Sequence, residues 1–286
     1  WLDRELDDWE HWKDYTHAEL DAKMERLPVK PPIWYALDLH QKVCFLIAVK
    51  TGNFLFILDM GMGKTLLSIA IARYLLKLGE IDSALVLVPN KIHKGEWRRE
   101  ILKHAPSTSF LVLKGSSAQK WEQLGELNDK QKWVPGERHT LVIETYAGFM
   151  KLVTEVTQDS RKRKSKKNRL VPVPRLLKRV HKLFQAMFLD ECTKVANKSK
   201  LPWRITRQVA KEAPYRFGLT GTPFGRDPTP IWGQMYIIDK GETLGPTLGF
   251  FRAVFFSAKD LYFGGTEYTF RKTMSGELHR ILRHRS

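Results

Sequence analysis

Short apolar runs alternate with amphipathic helical patterns along most of the chain, and this alternation constrains the fold more than any other feature. Apolar strands that are separated by helices pair side by side into a parallel sheet, and the helices cover both faces of that sheet. The sequence therefore predicts an α/β domain with a mostly parallel sheet and helices on both faces. The predicted strands are NFLFIL (53–58), ALVLVP (84–89), FLVL (110–113), TLVIET (140–145), AMFLDE (186–191) and RFGLTG (216–221).

The segment ILDMGMGKTLLSI (57–69) joins the first predicted strand to a helix. The general phosphate-loop pattern is Gly-x-x-x-x-Gly-Lys-Ser/Thr. Gly63-Lys64-Thr65 matches the end of this pattern, but Leu58 stands at the position of its first glycine. Glycines allow a tight turn with inward amides, and the following helix start adds unpaired N–H groups. We predict a nucleotide phosphate site, with a glycine turn before an ordinary core helix as the alternative. The predicted nucleotide-binding residues are Gly61, Met62, Gly63, Lys64, Thr65 and Leu66.

Within this loop, Lys64 is expected to reach the β- and γ-phosphates, and the Thr65 hydroxyl to bind Mg²⁺. Asp190 and Glu191 end another predicted strand, at the sheet edge where open α/β sheets bind ligands. A nucleotide hydrolase needs one carboxylate for Mg²⁺ and a second to activate the attacking water. The pair is predicted to divide these roles, with Asp190 as the Mg²⁺ ligand. A solvated turn is the alternative.

The strand RFGLTG runs into a loop of small residues, Thr220, Gly221 and Thr222, whose hydroxyls could sense the state of a nearby site. A plain exit from a strand is the alternative. The chain as a whole is strongly basic, with 48 Lys and Arg against 31 Asp and Glu and a formal net charge of +17. Such a charge favours an anionic partner, with nucleic acid ahead of an anionic membrane. A solubilising surface would also account for it.

Six segments in order resemble the motifs of the superfamily 2 helicase-like ATPases, and among these the Swi/Snf-type translocases of double-stranded DNA. They are LDLHQKVCFLI (37–47), LDMGMGKT (58–65), VPNKIHKGEWRREI (88–101), IETYAGF (143–149), DECT (190–193) and LTGTP (219–223). The resemblance implies a RecA-like P-loop NTPase lobe that hydrolyses ATP with Mg²⁺. Lys64, Asp190 and Glu191 would then be catalytic.

The resemblance also assigns roles to residues outside the phosphate loop. Gln41 would contact adenine, and Thr193 would couple the nucleotide state to the loop of Thr220, Gly221 and Thr222. The chain departs from the family pattern at Leu58-Asp59 and at Cys192-Thr193, and the buried character of Cys192 argues against a nucleophile. The resemblance and the placement at strand ends together predict nucleic-acid contacts. The residues are Asn90, Lys91, Lys94, Thr145 and Tyr146.

Three parts of the chain are predicted: an acidic amphipathic helical segment (1–30), the RecA-like lobe (31–240) with a basic insertion near 155–182, and a helical or loop extension (241–286). The family resemblance implies a second RecA-like lobe C-terminal to Ser286. That lobe would supply arginines to the ATP site, so we expect the single lobe to turn over ATP poorly.

Two other functions stay open at this point, an RNA helicase lobe and a non-hydrolysing nucleic-acid-binding scaffold. The two cysteines lack metal-ligand spacing and make no disulfide framework, and the latter is typical of a reducing compartment. No apolar run is long enough to cross a bilayer. We therefore expect no membrane association. The expected location is the cytoplasm of a bacterial or phage-infected cell, or the nucleus in a eukaryote.

Overall fold

The computed structural model describes residues 14–125, 140–158 and 168–282. In chain order the strands are β1 (Asn53–Ile57), β2 (Ala84–Val88), β3 (Phe110–Val112), β4 (Leu141–Thr145), β5 (Thr154–Gln158), β6 (Asn168–Pro172), β7 (Ala186–Asp190), β8 (Tyr215–Thr220), β9 (Phe256–Asp260) and β10 (Thr266–Phe270). The α-helices are α1 (His17–Met24), α2 (Leu39–Thr51), α3 (Lys64–Leu78), α4 (Lys91–His104), α5 (Ser117–Gln123), α6 (Tyr146–Val153), α7 (Pro174–Leu183), α8 (Leu201–Glu212), α9 (Thr229–Asp239), α10 (Leu248–Phe255) and α11 (Ser275–Leu282).

Six strands form one parallel sheet in the order β1-β8-β7-β2-β4-β3. These six are the apolar runs that the sequence predicts as strands, so the prediction of a parallel α/β sheet is confirmed. Strand β1 lies at one edge of the sheet, and β7 and β8, the last two of the six strands in the sequence, lie between β1 and β2. The carboxyl ends of β1, β8 and β7 therefore lie side by side, and those of β4 and β3 lie farther along the same edge.

Helices cover both faces of the sheet, as the sequence predicts. Alternate side chains of β2 show this directly, because successive residues of a strand point to opposite faces. Leu85 and Leu87 pack in the cluster that holds the apolar sides of α6, α7, α8 and α9. Val86 and Val88 pack in a second cluster with the apolar sides of α1, α2, α3 and α4.

The N-terminal helix α1 packs on the lobe. Leu20 and Met24 are buried in the second cluster, and Asp21 accepts a hydrogen bond from Trp34 Nε1 (2.6 Å) and pairs with Lys42 Nζ (2.7 Å). The apolar periodicity at Leu2, Leu6, Trp9 and Trp12 lies outside the described residues. The segment boundary at residue 30 stays a prediction.

The predicted basic insertion is partly a hairpin and partly core. Strands β5 and β6 pair antiparallel, and the basic run 161–167 lies outside the described residues. Helix α7 falls within the predicted insertion, yet it buries Leu177, Val180 and Leu183 against the main sheet. The apolar side chains of α7, spaced by three residues, thus join the core of the lobe, and the bounds of the insertion stay a prediction.

The C-terminal part also differs from the prediction. The extension was expected to contain helix and loop, but it includes an antiparallel pair of strands, β9 and β10, between α10 and α11. Phe256 and Phe270 anchor this hairpin through an edge-on ring contact with centroids 5.6 Å apart. None of the helices that the structure describes is long and apolar enough to cross a membrane.

Candidate functional site

The phosphate loop, residues 58–65, turns between β1 and α3 at two glycines in the left-handed region, Gly61 with φ of 82° and Gly63 with φ of 67°. Gly63 is the N-cap of α3, so Lys64, Thr65 and Leu66 form its first turn. A Cβ on Gly63 would overlap Gln41 Nε2. Both the backbone angle and the available space therefore require glycine at position 63.

Gln41 of α2 holds this loop in place. Its side chain is 2% exposed, its Oε1 accepts from Asp38 N (2.9 Å), and its Nε2 donates to Met62 O (3.1 Å). His40 Nε2 lies 3.1 Å from the same carbonyl. The structure thus gives Gln41 a contact with the loop itself, while its contact with adenine stays a prediction.

Lys64 folds back into the loop that it follows. Its ammonium donates to Leu58 O (2.9 Å) and to Asp59 O (3.0 Å). Both acceptors are neutral main-chain carbonyls, so an anionic phosphate oxygen would compete well with them for the same donors. Leu58 in place of the first glycine of the phosphate-loop pattern does not disturb this contact, because Lys64 Nζ bonds to the main-chain carbonyl of residue 58 and not to its side chain.

Asp190 ends the central strand β7 and is 7% exposed. Its Oδ2 accepts a hydrogen bond from Trp97 Nε1 of α4 (3.0 Å), and its main-chain O accepts one from the Tyr146 hydroxyl (3.0 Å). Burial raises the pKa of Asp190; the Trp97 bond and the nearby charge of His93 oppose that rise. This carboxyl is thus fixed in place by groups from two other segments.

Glu191 adopts a left-handed backbone, with φ of 48°, which is unusual for a residue other than glycine. Such conformations concentrate at functional sites, where the surrounding structure holds them. Cys192 is buried, donates from Sγ to Gln234 Oε1 (3.1 Å), and has its pKa raised by burial. Thr193 Oγ1 lies 3.5 Å from Glu191 O, in the short 3₁₀ turn after the pair.

The Thr-Gly-Thr loop, residues 220–222, lies against the phosphate loop because β8 is the neighbour of β1. Leu58 N donates to Thr220 O (3.0 Å), and Thr222 N donates to Thr220 Oγ1 (3.2 Å). A Cβ on Gly221 would lie 3.9 Å from Lys64 Nζ. On its other side β8 pairs with β7, where Leu219 is in register with Asp190. The structure therefore brings the three predicted motifs to one sheet edge.

A second concave region, the basic cavity, opens at the carboxyl ends of β3 and β4 and has a volume of about 980 Å³. Glu144 is the one acid among its lining residues that the structure describes. The basic side chains that line it are Lys91, Lys94, Arg98, Lys114, Lys120 and Lys151. The sequence does not predict a role for Glu144, Arg98, Lys114, Lys120 or Lys151, although Glu144 and Arg98 lie in segments that resemble family motifs and Lys114 directly follows the predicted strand 110–113.

Three of the five residues predicted to contact nucleic acid, Lys91, Lys94 and Thr145, line this cavity. Asn90 is the N-cap of α4, and its Oδ1 accepts from Ile92 N (2.9 Å) and His93 N (3.2 Å). Their contact with nucleic acid stays a prediction.

Tyr146 is placed differently from the expectation that it lies on a loop. It is the first residue of α6 and is 5% exposed, with its hydroxyl directed to the Asp190 carbonyl. Thr145 caps α6, its Oγ1 accepting from Gly148 N (2.9 Å), so that Tyr146 is the first helical residue and its ring is buried. The Tyr146 hydroxyl thus contacts the main chain of Asp190, and its contact with nucleic acid stays a prediction.

The parallel strands thus present a glycine-lined phosphate loop, a carboxylate pair and a small-residue loop side by side, which is the arrangement of a P-loop NTPase lobe. The chain belongs to the SNF2-related domain family, whose model matches residues 39–244. It is a helicase-like ATPase lobe of the Swi/Snf type, so the family predicted from the sequence is confirmed.

Curated relatives agree with this family. Protein CHROMATIN REMODELING 19 of Arabidopsis thaliana is 27% identical over 178 residues, which cover 62% of this chain and 21% of that protein. The ISWI chromatin-remodeling complex ATPase ISW2 of Saccharomyces cerevisiae is 26% identical over 177 residues, 62% of this chain and 13% of that protein. The chain thus matches about a fifth or less of the length of these relatives.

Solved structures agree with the fold. The SWI2/SNF2 ATPase core of Sulfolobus solfataricus in complex with dsDNA superposes with a TM-score of 0.57 at 22% identity, covering 80% of this chain and 41% of that chain. The SWI2/SNF2 ATPase core domain from the same organism gives a TM-score of 0.52 at 23% identity, covering 77% and 38%. The RecA-like fold is therefore confirmed.

Proposed function

We propose that the chain is the ATP-binding lobe of a DNA-stimulated ATPase that hydrolyses ATP to ADP and phosphate and moves along duplex DNA. The observation that carries the proposal is one sheet edge with two sites. Lys64, Asp190 and the Thr-Gly-Thr loop meet at β1, β7 and β8, while the basic cavity opens at β3 and β4. A nucleotide site and an anion-binding site on one rigid sheet are what a nucleic-acid-dependent ATPase needs.

The residues at the first site suit ATP with Mg²⁺. The described residues hold no group of three or more His, Cys, Asp or Glu side chains arranged for a metal. This agrees with Mg²⁺, which binds through one or two carboxylates, substrate phosphates and water. Thr65 and the second oxygen of Asp190 would hold the ion, whose charge stabilises the transferring phosphoryl group. Lys64 would bind the β- and γ-phosphates, and Glu191 would orient the attacking water.

The residues around these groups would sense the nucleotide. Gln41 already holds the phosphate loop through Met62 O (3.1 Å) and Gly63 O (3.5 Å), and its side-chain amide would exchange one of these contacts for adenine. Thr220, Gly221 and Thr222 lie against the phosphate loop, where a change in Lys64 contacts would reach them, and Thr193 directly follows the acidic pair. We assign them the coupling of ATP turnover to movement.

The basic cavity would bind the DNA backbone. Asn90, Lys91, Lys94 and Thr145 lie in or beside it, and contacts from such groups to phosphates are tolerant of sequence and sensitive to salt. The Sulfolobus relative was solved with dsDNA, which supports duplex DNA over RNA. A second RecA-like lobe would complete the ATP site, and the relatives' greater length supports it. The location would follow the DNA, in a bacterial or phage-infected cytoplasm or in a nucleus.

Steady-state ATP hydrolysis tests the proposal. This chain is assayed with Mg²⁺ alone and with duplex DNA, single-stranded DNA or RNA, and the Lys64→Ala variant serves as the blank. We expect weak turnover that duplex DNA stimulates most. Stimulation only by RNA would point instead to an RNA helicase lobe. No turnover above the blank, here and in a form extended past Ser286, would point to a non-hydrolysing scaffold.

A further inference from the structure

A buried carboxylate joins two lysines from different helices beside the basic cavity. Glu144, the fourth residue of β4, is 1% exposed. Its Oε1 lies 2.5 Å from Lys94 Nζ of α4, and its Oε2 lies 2.6 Å from Lys120 Nζ of α5. Lys94 and Lys120, here called the lysine pair, both line the cavity. They are its deepest basic side chains, with 12% and 10% of their side chains exposed.

Further contacts hold the Glu144 carboxylate in place. Thr145 donates to Glu144 Oε1 from its main-chain N (2.6 Å) and from Oγ1 (3.2 Å). Oε2 accepts no hydrogen bond of normal geometry from the described residues, so its contact with Lys120 is Coulombic. A buried charge is costly unless it is paired and hydrogen-bonded. The Glu144 carboxylate is both paired with two lysines and hydrogen-bonded by Thr145.

Gly148 provides the space for the carboxylate. It lies in the first turn of α6, and a Cβ there would overlap Glu144 Oε1 and approach Lys120 Nζ. Glycine is a poorer helix former than alanine, by up to about 1 kcal/mol, so nothing in the helix itself favours glycine at this position. The arrangement of Glu144 and the lysine pair therefore depends on a residue that is otherwise unfavourable.

The contact with Glu144 also favours the charged form of Lys94. Burial lowers the pKa of Lys94, and the contact with Glu144 opposes this decrease. Lys94 Nζ donates also to Leu113 O (2.7 Å). An ammonium group has three N–H donors, so one remains for a ligand after these two contacts. Two ammonium groups and one carboxylate leave a net positive charge next to the cavity.

We propose that Glu144 is a positioning residue for nucleic-acid binding, which fixes the lysine pair at the buried end of the basic cavity so that both ammonium groups bind one backbone phosphate. The inference rests on the proposed function, because it names the groups that would bind DNA in this cavity. Simple electrostatics gives the opposite expectation. An acid in a basic cavity repels phosphate, and its removal should then strengthen binding.

The sign of the effect of Glu144→Gln therefore decides the matter. Duplex DNA affinity of the whole chain is measured over a salt series from about 50 to 200 mM, where each lost phosphate contact lowers the slope of log K against log salt by about one. We expect Glu144→Gln to weaken binding roughly tenfold and to reduce the slope by about one to two. Unchanged or tighter binding with an unchanged slope would overturn the inference.

Glu122→Gln is the matched control, since it removes the same charge from an exposed position on the same helix as Lys120. It should leave binding equal or slightly tighter. Lys120→Gln keeps the pair of Glu144 with Lys94, so it gives a folded test even if Glu144→Gln melts early. It should lower the slope by about one, and an unchanged slope would also overturn the inference. If the unmodified chain fails to bind duplex DNA, the proposed function itself fails.

Discussion

The two sites on the sheet edge hold their lysines in different ways. At the nucleotide site, Lys64 donates to two main-chain carbonyls of its own loop, at 2.9 and 3.0 Å. At the basic cavity, Lys94 and Lys120 contact a buried carboxylate at 2.5 and 2.6 Å. A neutral carbonyl dipole attracts a cation less than the full negative charge of a carboxylate does at a similar distance. The partners therefore differ in charge, in burial and in how easily a ligand can replace them.

The difference indicates two modes of binding. A phosphate oxygen can displace the carbonyls from Lys64 at little cost, so this lysine is expected to move onto its ligand. The lysine pair cannot leave Glu144 without stranding a buried charge, a change that typically costs about 3–5 kcal/mol. That site is expected to be preformed. A lysine that can move, such as Lys64, suits a nucleotide that is hydrolysed and released. A preformed lysine pair suits a nucleic-acid backbone that is bound repeatedly.

The nucleotide site should fail most severely when its loop is blocked. Gly63→Ala adds a Cβ that overlaps Gln41 Nε2 and forces a left-handed alanine. We expect the affinity for ATP to fall about 100-fold, which corresponds to ~2.7 kcal/mol. Binding of a fluorescent ATP analogue measures it.

Gly79→Ala is the control for that experiment. Gly79 caps the other end of α3 with φ of 80°, and a Cβ added there would meet nothing within 4 Å. Alanine there carries the same backbone strain, about 1–2 kcal/mol, without the overlap. ATP affinity should remain close to that of the unmodified chain. An equal loss in both variants would show that general destabilisation, and not the shape of the loop, explains the effect.

The contrast between the sites also explains what sequence can predict. The phosphate loop is contiguous and its glycines need particular backbone angles, so Gly61, Gly63 and Lys64 could be identified from their order alone. Glu144 and the lysine pair come from three separate segments, and only the neighbouring positions of β2, β4 and β3 in the sheet bring them together. Pair contacts of that kind leave no local pattern. Tyr146 shows the same limit, because the direction of its ring depends on where α6 begins.

The basic cavity should fail when Glu144 is displaced. Helix propensity alone predicts that Gly148→Ala stabilises the chain by about 1 kcal/mol. The overlap with the Glu144 carboxylate reverses that sign. We expect DNA affinity to fall roughly tenfold through loss of phosphate contacts, measured by fluorescence anisotropy with labelled duplex.

Gly95→Ala is the control, since Gly95 lies in α4 beside the same cavity and a Cβ there would meet nothing within 4 Å. Similar losses in both variants would contradict the role of Glu144.

Asp190 is an intermediate case, a buried charge whose oxygen Oδ2 accepts a hydrogen bond from a neutral donor, Trp97. Its pKa is raised above the unfolded value, chiefly by burial. Between those two pKa values the folded chain binds more protons, so its stability increases as the pH falls, and the ionised carboxylate costs stability near neutral pH. Asp190→Asn keeps the shape and an acceptor for Trp97. Its Tm should therefore exceed that of the unmodified chain by roughly 1–3 °C near neutral pH. The difference should shrink as acid protonates Asp190, whereas a gain independent of pH in thermal melts would show that its charge is not the cause.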